Sequence, residues 1–265
     1  MDLGLKNKVV VLSGGSMGIG YACAHLFGQE GAKLAIAARD PRRLEEAAKR
    51  IHDETGADAL PVPADMSKTE DVNRFVATSL DHYGRIDALV NVAGSAPGGL
   101  LENLTDEQWF EALNLKFMGY VRSIREVAPI MVRQGGGRIL NLIGNDGNKP
   151  AYWEVVPSAA NAAGHRLTEA LAEQYAKHNI LINAVNPGPV ATQRWDGLEK
   201  AMARDKNITQ QQAHELALES LPLGRICTPE EVARLVVFLS SEANTYITGA
   251  LIGIDGAQRK ALMDV

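Results

Sequence analysis

The feature that most constrains this chain is the segment 8–20, KVVVLSGGSMGIG. Its apolar run 9–12 leads into glycines, and a pattern typical of a helix follows over 19–30. A short β-branched run that ends in glycines predicts a buried strand. Strand, glycine turn and helix together present free backbone N–H groups and a helix N-terminus to an anion, and glycine lets a pyrophosphate approach closely. The segment therefore predicts a dinucleotide site, although its spacing, G-x3-G-x-G, differs from the commoner GxGxxG.

Composition limits the class of protein. The chain has 265 residues, of which 46% are hydrophobic and 22% charged, and it contains no linker or repeat, so we expect one globular domain over 1–265. The net charge of −5 argues against a nucleic-acid surface. The absence of an apolar run of about 20 residues argues against a membrane span. Two cysteines, Cys23 and Cys227, provide neither a disulfide framework nor a metal site, and the N-terminus lacks a secretion signal, so we expect a cytoplasmic protein.

Strand and helix patterns alternate along the chain. The predicted strands are 8–12, 33–37, 57–62, 87–91, 137–142, 180–185 and 250–254. Helix starts are indicated by Asp40 before Pro41 and by capping-box spacing at Ser67, Thr105 and Thr228. This alternation predicts an α/β fold: a single-domain Rossmann fold with a doubly wound, seven-stranded parallel sheet flanked by helices. Ligands of such sheets bind at the carboxyl ends of the strands.

The residues after the second strand indicate which dinucleotide binds. An NAD site would place a carboxylate at that strand end, whereas this chain has Ala38 and then Arg39, which suits the 2′-phosphate of NADP(H). Two alternatives stay open. Arg39 could belong to a solvated run of charges, and Asp40 could turn towards the ribose of NAD(H).

Several motifs in order resemble the short-chain dehydrogenase/reductase family over 8–256. They are SGGSMGIG, NVAG at 91–94, NLKFMGY and NAVNPGPVAT at 183–192. The resemblance implies a cofactor site at Gly14, Ser16, Met17, Gly18, Ile19, Gly20, Arg39, Asp65, Met66, Asn91, Ala93, Gly94, Asn161, Pro187, Gly188, Val190 and Thr192. It also implies that Asn114 supports the active-site water.

The catalytic centre departs from the family pattern of serine, tyrosine and lysine. Taking strand 137–142 and the turn after Asn186 as anchors, the alignment puts Gly144 at the serine, Pro157 at the tyrosine and Asn161 at the lysine. Asn161 can hydrogen-bond a ribose but cannot lower the pKa of a phenol. Hydride transfer is still feasible because proximity alone contributes about 7–11 kcal/mol, but the proton needs another path.

Candidate replacements lie close to the altered positions. Tyr152 is the best alternative proton donor, with a role as a wall of the pocket equally open. Asn145 and Asp146 could orient a carbonyl or a water, or simply satisfy the backbone of a turn. His165 shares a helix face with Asn161 and is expected to be a satisfied core residue, and Lys149 is expected to be a solvated loop charge.

A segment at about 193–221 resembles the family's substrate lid. An apolar pocket is expected from Trp153, Val155, Pro189, Trp195 and Met202. We therefore expect an NADP(H)-dependent oxidoreductase that transfers a hydride to or from a small, moderately hydrophobic carbonyl or alcohol, or to an activated C=N or C=C bond. The alternatives are a catalytically silent NADP(H)-binding regulator or partner subunit and, third, non-redox chemistry. Helices 106–133 and 158–177 resemble those that pair in the family, which predicts a homo-oligomer, a tetramer or a dimer.

Overall fold

A computed structural model of the chain describes residues 1–258. Seven parallel strands form one sheet in the order β3-β2-β1-β4-β5-β6-β7. Their bounds are β1 Val9–Ser13, β2 Lys33–Ala38, β3 Ala59–Pro63, β4 Ala88–Asn91, β5 Gly137–Leu142, β6 Ile180–Pro187 and β7 Leu251–Ile254. All seven predicted strands are confirmed, with ends that differ by two residues or fewer. The fold is therefore the predicted doubly wound Rossmann architecture.

Helices cover both faces of the sheet. They are α1 Gly18–Gln29, α2 Pro41–Thr55, α3 Thr69–Tyr83, α4 Asp106–Ala112, α5 Met118–Gln134, α6 Val155–Ala176, α7 Gln193–Lys206, α8 Gln210–Glu219 and α9 Pro229–Leu239. On one face α1, α2 and α9 bury residues such as Phe27, Ile51 and Val236. On the other, α3, α5 and α6 bury residues such as Phe75, Met131 and Ala172. A sheet covered on both faces explains why its strands consist of continuous apolar runs.

Three of the four predicted helix starts are confirmed. Asp40 accepts from the backbone N–H groups of Arg42 and Arg43, and both Thr105 and Thr228 form capping boxes. The prediction that Ser67 caps a helix is wrong. Its hydroxyl donates to Asp65 at 2.7 Å, and α3 begins at Thr69 without a side-chain cap. The aspartate two residues earlier competes successfully for this hydroxyl.

The predicted helix 106–133 is interrupted. A π-helical turn, Leu113–Phe117, joins α4 to α5. Such turns insert an extra residue and re-aim the side chains around them, often at functional sites. The predicted helix 158–177 begins earlier than expected, at Val155, so Pro157 lies in its first turn, where a missing N–H group is tolerated.

Strand order reverses between β1 and β4, and a cleft of about 850 Å³ opens at the carboxyl ends of the strands there. This is the position at which doubly wound sheets bind ligands. Within residues 1–258, no helix has the length and apolar character that a membrane crossing requires. The same part of the chain contains no cluster of three or more His, Cys, Asp or Glu residues placed to hold a metal ion.

Candidate active site

One end of the cleft is formed by the glycine loop between β1 and α1. Gly14 has φ +83°, and a Cβ atom there would lie 2.9 Å from the backbone nitrogen of Ala93. A Cβ atom at Gly20 would lie 2.0 Å from the carbonyl oxygen of Gly14. Any larger residue would push the loop away from β4 or from the helix. The N-terminus of α1 receives no side-chain cap, so its first N–H groups remain available to an anion.

Two arginines line the cleft near the end of β2. Arg39 lines it as predicted, and Arg43 in the first turn of α2 lines it as well. Asp40 also borders the cleft, but its carboxylate accepts the N–H groups of Arg42 and Arg43 at 3.1 and 3.2 Å and so caps α2. This capping role disfavours the alternative in which Asp40 binds a ribose. Two guanidinium groups at this end suit a phosphate.

Most of the predicted cofactor residues converge on this one cleft. Those that line it are Gly14, Ser16, Met17, Gly18, Ile19, Gly20, Arg39, Met66, Ala93, Gly94, Asn161, Pro187, Gly188, Val190 and Thr192. Asp65 and Asn91 do not line it. Asp65 accepts from the backbone and hydroxyl of Ser67, and Asn91 is buried and donates to Asn141 at 2.9 Å. Asp65 thus holds the loop after β3 and Asn91 links β4 to β5, and their contacts with the cofactor stay predictions.

Asn114 also faces away from the cleft. Its amide donates to the Ser67 carbonyl oxygen at 3.2 Å and its side-chain oxygen accepts from Arg122 at 2.6 Å. The residues of the π-helical turn that do line the cleft are Leu115 and Lys116. The turn thus presents the two residues after Asn114 to the cleft, and the role of Asn114 in supporting the active-site water stays a prediction.

The three altered family positions, Gly144, Pro157 and Asn161, all line the cleft. Asn161 is buried and donates to the carboxylate of Asp146. Gly144 has φ +154°, and a Cβ atom there would lie 2.5 Å from Asn161 Nδ2 and 2.6 Å from Asp146 Oδ1. The pair formed by Asp146 and Asn161 therefore occupies the space that a side chain at 144 would need.

The other candidate replacements differ in how they relate to the cleft. Tyr152 is 50% exposed and is not among the residues that line the cleft, so the structure does not support it as a proton donor. Asn145 lines the cleft but donates to Gln258 at 2.6 Å, which ties its loop to the segment after β7. His165 is buried and bonds Asn186 at 2.8 Å, and burial lowers its pKa, as expected for a satisfied core histidine. Lys149 is not simply solvated, because it pairs with Asp255 at 2.6 Å.

Four ionisable side chains, from four separate segments, line the same part of the cleft. We call Lys116, Asp146, Glu154 and Arg194 the charge quartet. Arg194, in the first turn of α7, donates to the carbonyl oxygen of Gly94 at 3.2 Å and so reaches across the cleft. Only Asp146 among them was a sequence candidate. The signal that could have found two others is a charge inside an apolar segment, in NLKFMGY and in YWEVVP.

Burial shifts the pKa values of the charge quartet. It lowers the pKa of Lys116 to about 8, against the opposing effect of Asp146. It raises the pKa of Glu154 to about 8, and the negative charge of Asp146 acts in the same direction while Arg194 and Lys116 oppose it. Burial also lowers the pKa of the Arg194 guanidinium. Perturbed groups gathered in a cleft are typical of a catalytic site.

The region over the cleft is only partly the apolar pocket that was predicted. Pro189 and Trp195 line the cleft. Trp153 and Met202 are buried in a separate cluster with α7 and α8, and Val155 packs beside α4. The lining near the altered positions is thus ionisable, and the apolar surface lies at the lid.

The chain is similar in sequence and structure to reductases and dehydrogenases. Residues 14–257 match the family model described as Enoyl-(Acyl carrier protein) reductase. The 3-oxoacyl-(acyl-carrier-protein) reductase FabG of Thermotoga maritima is 33% identical over 255 residues, which are 95% of this chain and 98% of that protein. Galactitol 2-dehydrogenase of Agrobacterium fabrum is 29% identical over 95% of this chain and 97% of its own length. The structure of L-sorbose reductase from Gluconobacter frateurii, complexed with NADPH and L-sorbose, is 33% identical with a TM-score of 0.91 and full coverage of both chains, 100% each.

Proposed function

Because the chain belongs to the short-chain dehydrogenase/reductase family, we propose that it transfers a hydride between NADP(H) and a small carbonyl or alcohol compound. Activated C=N and C=C bonds are further acceptors that this site suits, since they depend less on an acid. The proton moves by a path that does not use a serine, tyrosine or lysine at positions 144, 157 and 161, which hold Gly144, Pro157 and Asn161. The observation that carries the proposal is one cleft that joins an intact nucleotide loop to the ionisable charge quartet.

The residues of the cleft fit the cofactor. The glycine loop leaves room that a Cβ atom would fill, and the uncapped start of α1 suits the pyrophosphate. Arg39 and Arg43 suit a 2′-phosphate. Asn161 Oδ1 is buried without a hydrogen-bond partner among the described residues, and a ribose hydroxyl would satisfy it. NADPH is the cofactor named for the L-sorbose reductase structure and for the actinorhodin polyketide ketoreductase structure, which is 27% identical with a TM-score of 0.91.

In the mechanism, bound NADP(H) supplies or accepts the hydride. The glycine loop and the arginines would hold the phosphates, and Asn161 would hold the ribose next to Asp146. Pro187, Gly188, Val190 and Thr192 line the cleft after β6 and would contact the nicotinamide. Trp195 and Leu198 of α7 also line the cleft and would exclude water from the reacting atoms.

A second candidate function is favoured by the lost catalytic side chains. A protein with a complete nucleotide cradle and glycine, proline and asparagine at positions 144, 157 and 161 would also serve as an NADP(H)-binding regulator or a silent partner subunit. The two functions share the cofactor and differ only in turnover.

Binding and turnover measured on the same preparation test the proposal. We expect NADPH to bind with a lower Kd than NADH in a fluorescence titration. We also expect oxidation of NADPH, followed by its absorbance, with at least one member of a panel of ketones, imines and enones. Tight binding without turnover of any acceptor would favour the regulator, and failure to bind NADPH would overturn both functions.

A further inference from the structure

We propose that Glu154 is the proton donor of this reduction and that Lys116 is the positioning residue that stabilises its carboxylate from the opposite wall of the cleft. The two would replace the tyrosine and lysine missing at positions 157 and 161. The inference rests on the proposed function, because a proton donor is needed only if the protein reduces a substrate.

The backbone places Glu154 close to the altered centre. It is the last residue before α6 and lies one helical turn before Pro157, so both side chains share a face of the helix and both line the cleft. Its own N–H donates to Ala151 at 3.0 Å, and its carbonyl oxygen accepts from Ser158 at 2.8 Å. The carboxyl group thus projects from a segment whose backbone is already hydrogen-bonded.

Trp153 holds this segment rigidly. Its carbonyl oxygen accepts from Gly99 at 2.8 Å, and its indole donates to Asp205 of α7 at 2.8 Å. The ring also lies against Gly98, where a Cβ atom would come within 2.2 Å of it. Glu154 is therefore fixed between the loop after β4 and the lid. A donor held in this way needs little reorganisation when the substrate binds.

Lys116 brings an ammonium group to the same part of the cleft. The residue is 8% exposed and lines the cleft beside Gly94, against whose Cα its aliphatic stem packs. A buried cation is costly unless a counter-charge stands nearby, and the carboxylates that act on it are those of Asp146 and Glu154. Ionisation of Glu154 would therefore be favoured by Lys116.

The other members of the charge quartet are poorer donors. The carboxylate of Asp146 is already engaged, because it accepts a hydrogen bond from Asn161. Arg194 keeps its proton at any pH at which the protein is folded. The groups that face Glu154 are then Asp146 from the loop after β5, Lys116 from the π-helical turn and Arg194 from α7. Lys116 and Arg194 favour the ionised form of Glu154 while burial and Asp146 disfavour it, so the two cations reduce the cost of the carboxylate that proton transfer leaves behind.

The proposed reduction adds one hydride and one proton to the carbonyl group. When NADPH is bound, its hydride adds to the carbonyl carbon and the C=O π bond opens. The O–H bond of Glu154 breaks while an O–H bond forms on the substrate oxygen. Glu154 becomes a carboxylate beside Lys116 and regains its proton from water. A pKa raised to about 8 by burial keeps Glu154 protonated at neutral pH, before the reaction.

The first experiment needs no substrate. Protein labelled with ¹³C at glutamate carboxyl groups is titrated by NMR, and the Glu154 signal is assigned with Glu154→Gln. We expect this carboxyl to titrate near 8, and Lys116→Met to move its pKa upward by roughly 1, because removal of a nearby positive charge disfavours the ionised form. Lys177→Met, an exposed lysine at the other end of α6, is the matched control and should leave the signal unchanged.

The second experiment measures turnover with the acceptor found in the panel. Glu154→Gln should lower kcat about 100-fold or more without changing the Kd of NADPH. Glu173→Gln, an exposed glutamate of the same helix, should have no effect. Activity should fall as the pH rises through about 8, where Glu154 loses its proton, and Lys116→Met should extend it to higher pH.

The outcomes separate the two proposals. NADPH binding and turnover together with a Glu154 carboxyl that titrates in the ordinary range would overturn only the assignment of the donor. So would a large loss of kcat in Tyr152→Phe with none in Glu154→Gln. Failure to bind NADPH, or turnover of no acceptor, would overturn the reductase and with it the proton donor.

Discussion

At position 144 the backbone conformation and two neighbouring side chains both favour glycine. The backbone has φ +154°, a conformation that L-residues rarely adopt. Asn161 and Asp146 fill the space beyond it, and each would lie less than 3 Å from a Cβ atom. Gly144→Ser would therefore require the side chains of Asn161 and Asp146 to move, in addition to the strain in the backbone.

Gly144→Ala is expected to reduce the free energy of unfolding by about 1–3 kcal/mol, because it combines backbone strain with a steric clash. Gly197→Ala is the matched control. Gly197 lies in α7 with no atom within 4 Å of its Cβ position, so alanine should stabilise the protein by about 0.5–1 kcal/mol. Urea unfolding measures both changes. Equal effects at the two positions would show that the space at 144 is not filled as described.

We expect Arg39, which lines the cleft at the end of β2, to select NADPH over NADH. Arg39→Asp should weaken NADPH binding by about 10- to 100-fold and strengthen NADH binding, since it removes a charge-assisted contact to a phosphate and offers a carboxylate to the ribose. Arg42→Asp is the control, because Arg42 is exposed on α2 but does not line the cleft. Fluorescence titration of each variant with both cofactors gives the four Kd values. If the unmutated protein binds the two cofactors equally, the argument from Arg39 is wrong.

At the scale of elements, two carboxylates of α7 connect the predicted lid, α7 and α8, internally and to the segment before α6. Glu199 of α7 is buried, accepts from the indole of Trp195 at 2.6 Å and contacts His214 of α8 at 2.6 Å. Asp205 accepts from Trp153, which connects α7 to the loop that carries Glu154. The lid and the proposed proton donor therefore belong to one hydrogen-bonded unit.

Glu199→Ala is expected to loosen the contact between α7 and α8. It leaves the buried indole of Trp195 without its acceptor, which costs about 1–3 kcal/mol. Amide hydrogen exchange in α7 and α8 should accelerate, while β1, β4 and β5 keep their protection, because the lid opens as a local unit. Glu199→Gln retains an acceptor oxygen and should exchange nearly like the unmutated protein. Faster exchange throughout the sheet would mean that Glu199 stabilises the whole domain instead.

At the scale of the whole molecule, the reversal of strand order between β1 and β4 brings distant segments to one cleft. The glycine loop, the π-helical turn, the loop after β5 and the start of α7 all line it, although they are far apart in sequence. Each contributes a single charged group or a short backbone segment. The site therefore exists only in the fully assembled domain.

We also predict that copies of this chain associate through the outer surface of α6. Ala162 and Ala170 are exposed on this helix, and small side chains allow another helix to approach closely. Sedimentation should give a mass of two or four times the 28.5 kDa chain at micromolar concentration, and Ala170→Arg should lower it. A single species at the monomer mass for the unmutated protein would refute this prediction.

The sequence alone determined the strands, most helix starts and the nucleotide loop. These depend on local properties: continuous apolar runs, glycine at close approaches, and capping residues beside the N–H groups that they satisfy. Its alignment with the family pattern also predicts that Gly144, Pro157 and Asn161 stand where the family has its catalytic side chains. Such features can be recognised within a few residues because their physical causes are themselves local.

Only the tertiary structure decided which charged groups meet at the altered centre. Tyr152 was the nearest phenol along the chain, yet it lies outside the cleft lining, whereas Lys116, Glu154 and Arg194 converge there from three segments. Within the π-helical turn, Lys116 lines the cleft and Asn114 does not. The ionisation of Lys116 and Glu154 depends on burial and on the charges that surround them, and both arise only when the whole domain has assembled.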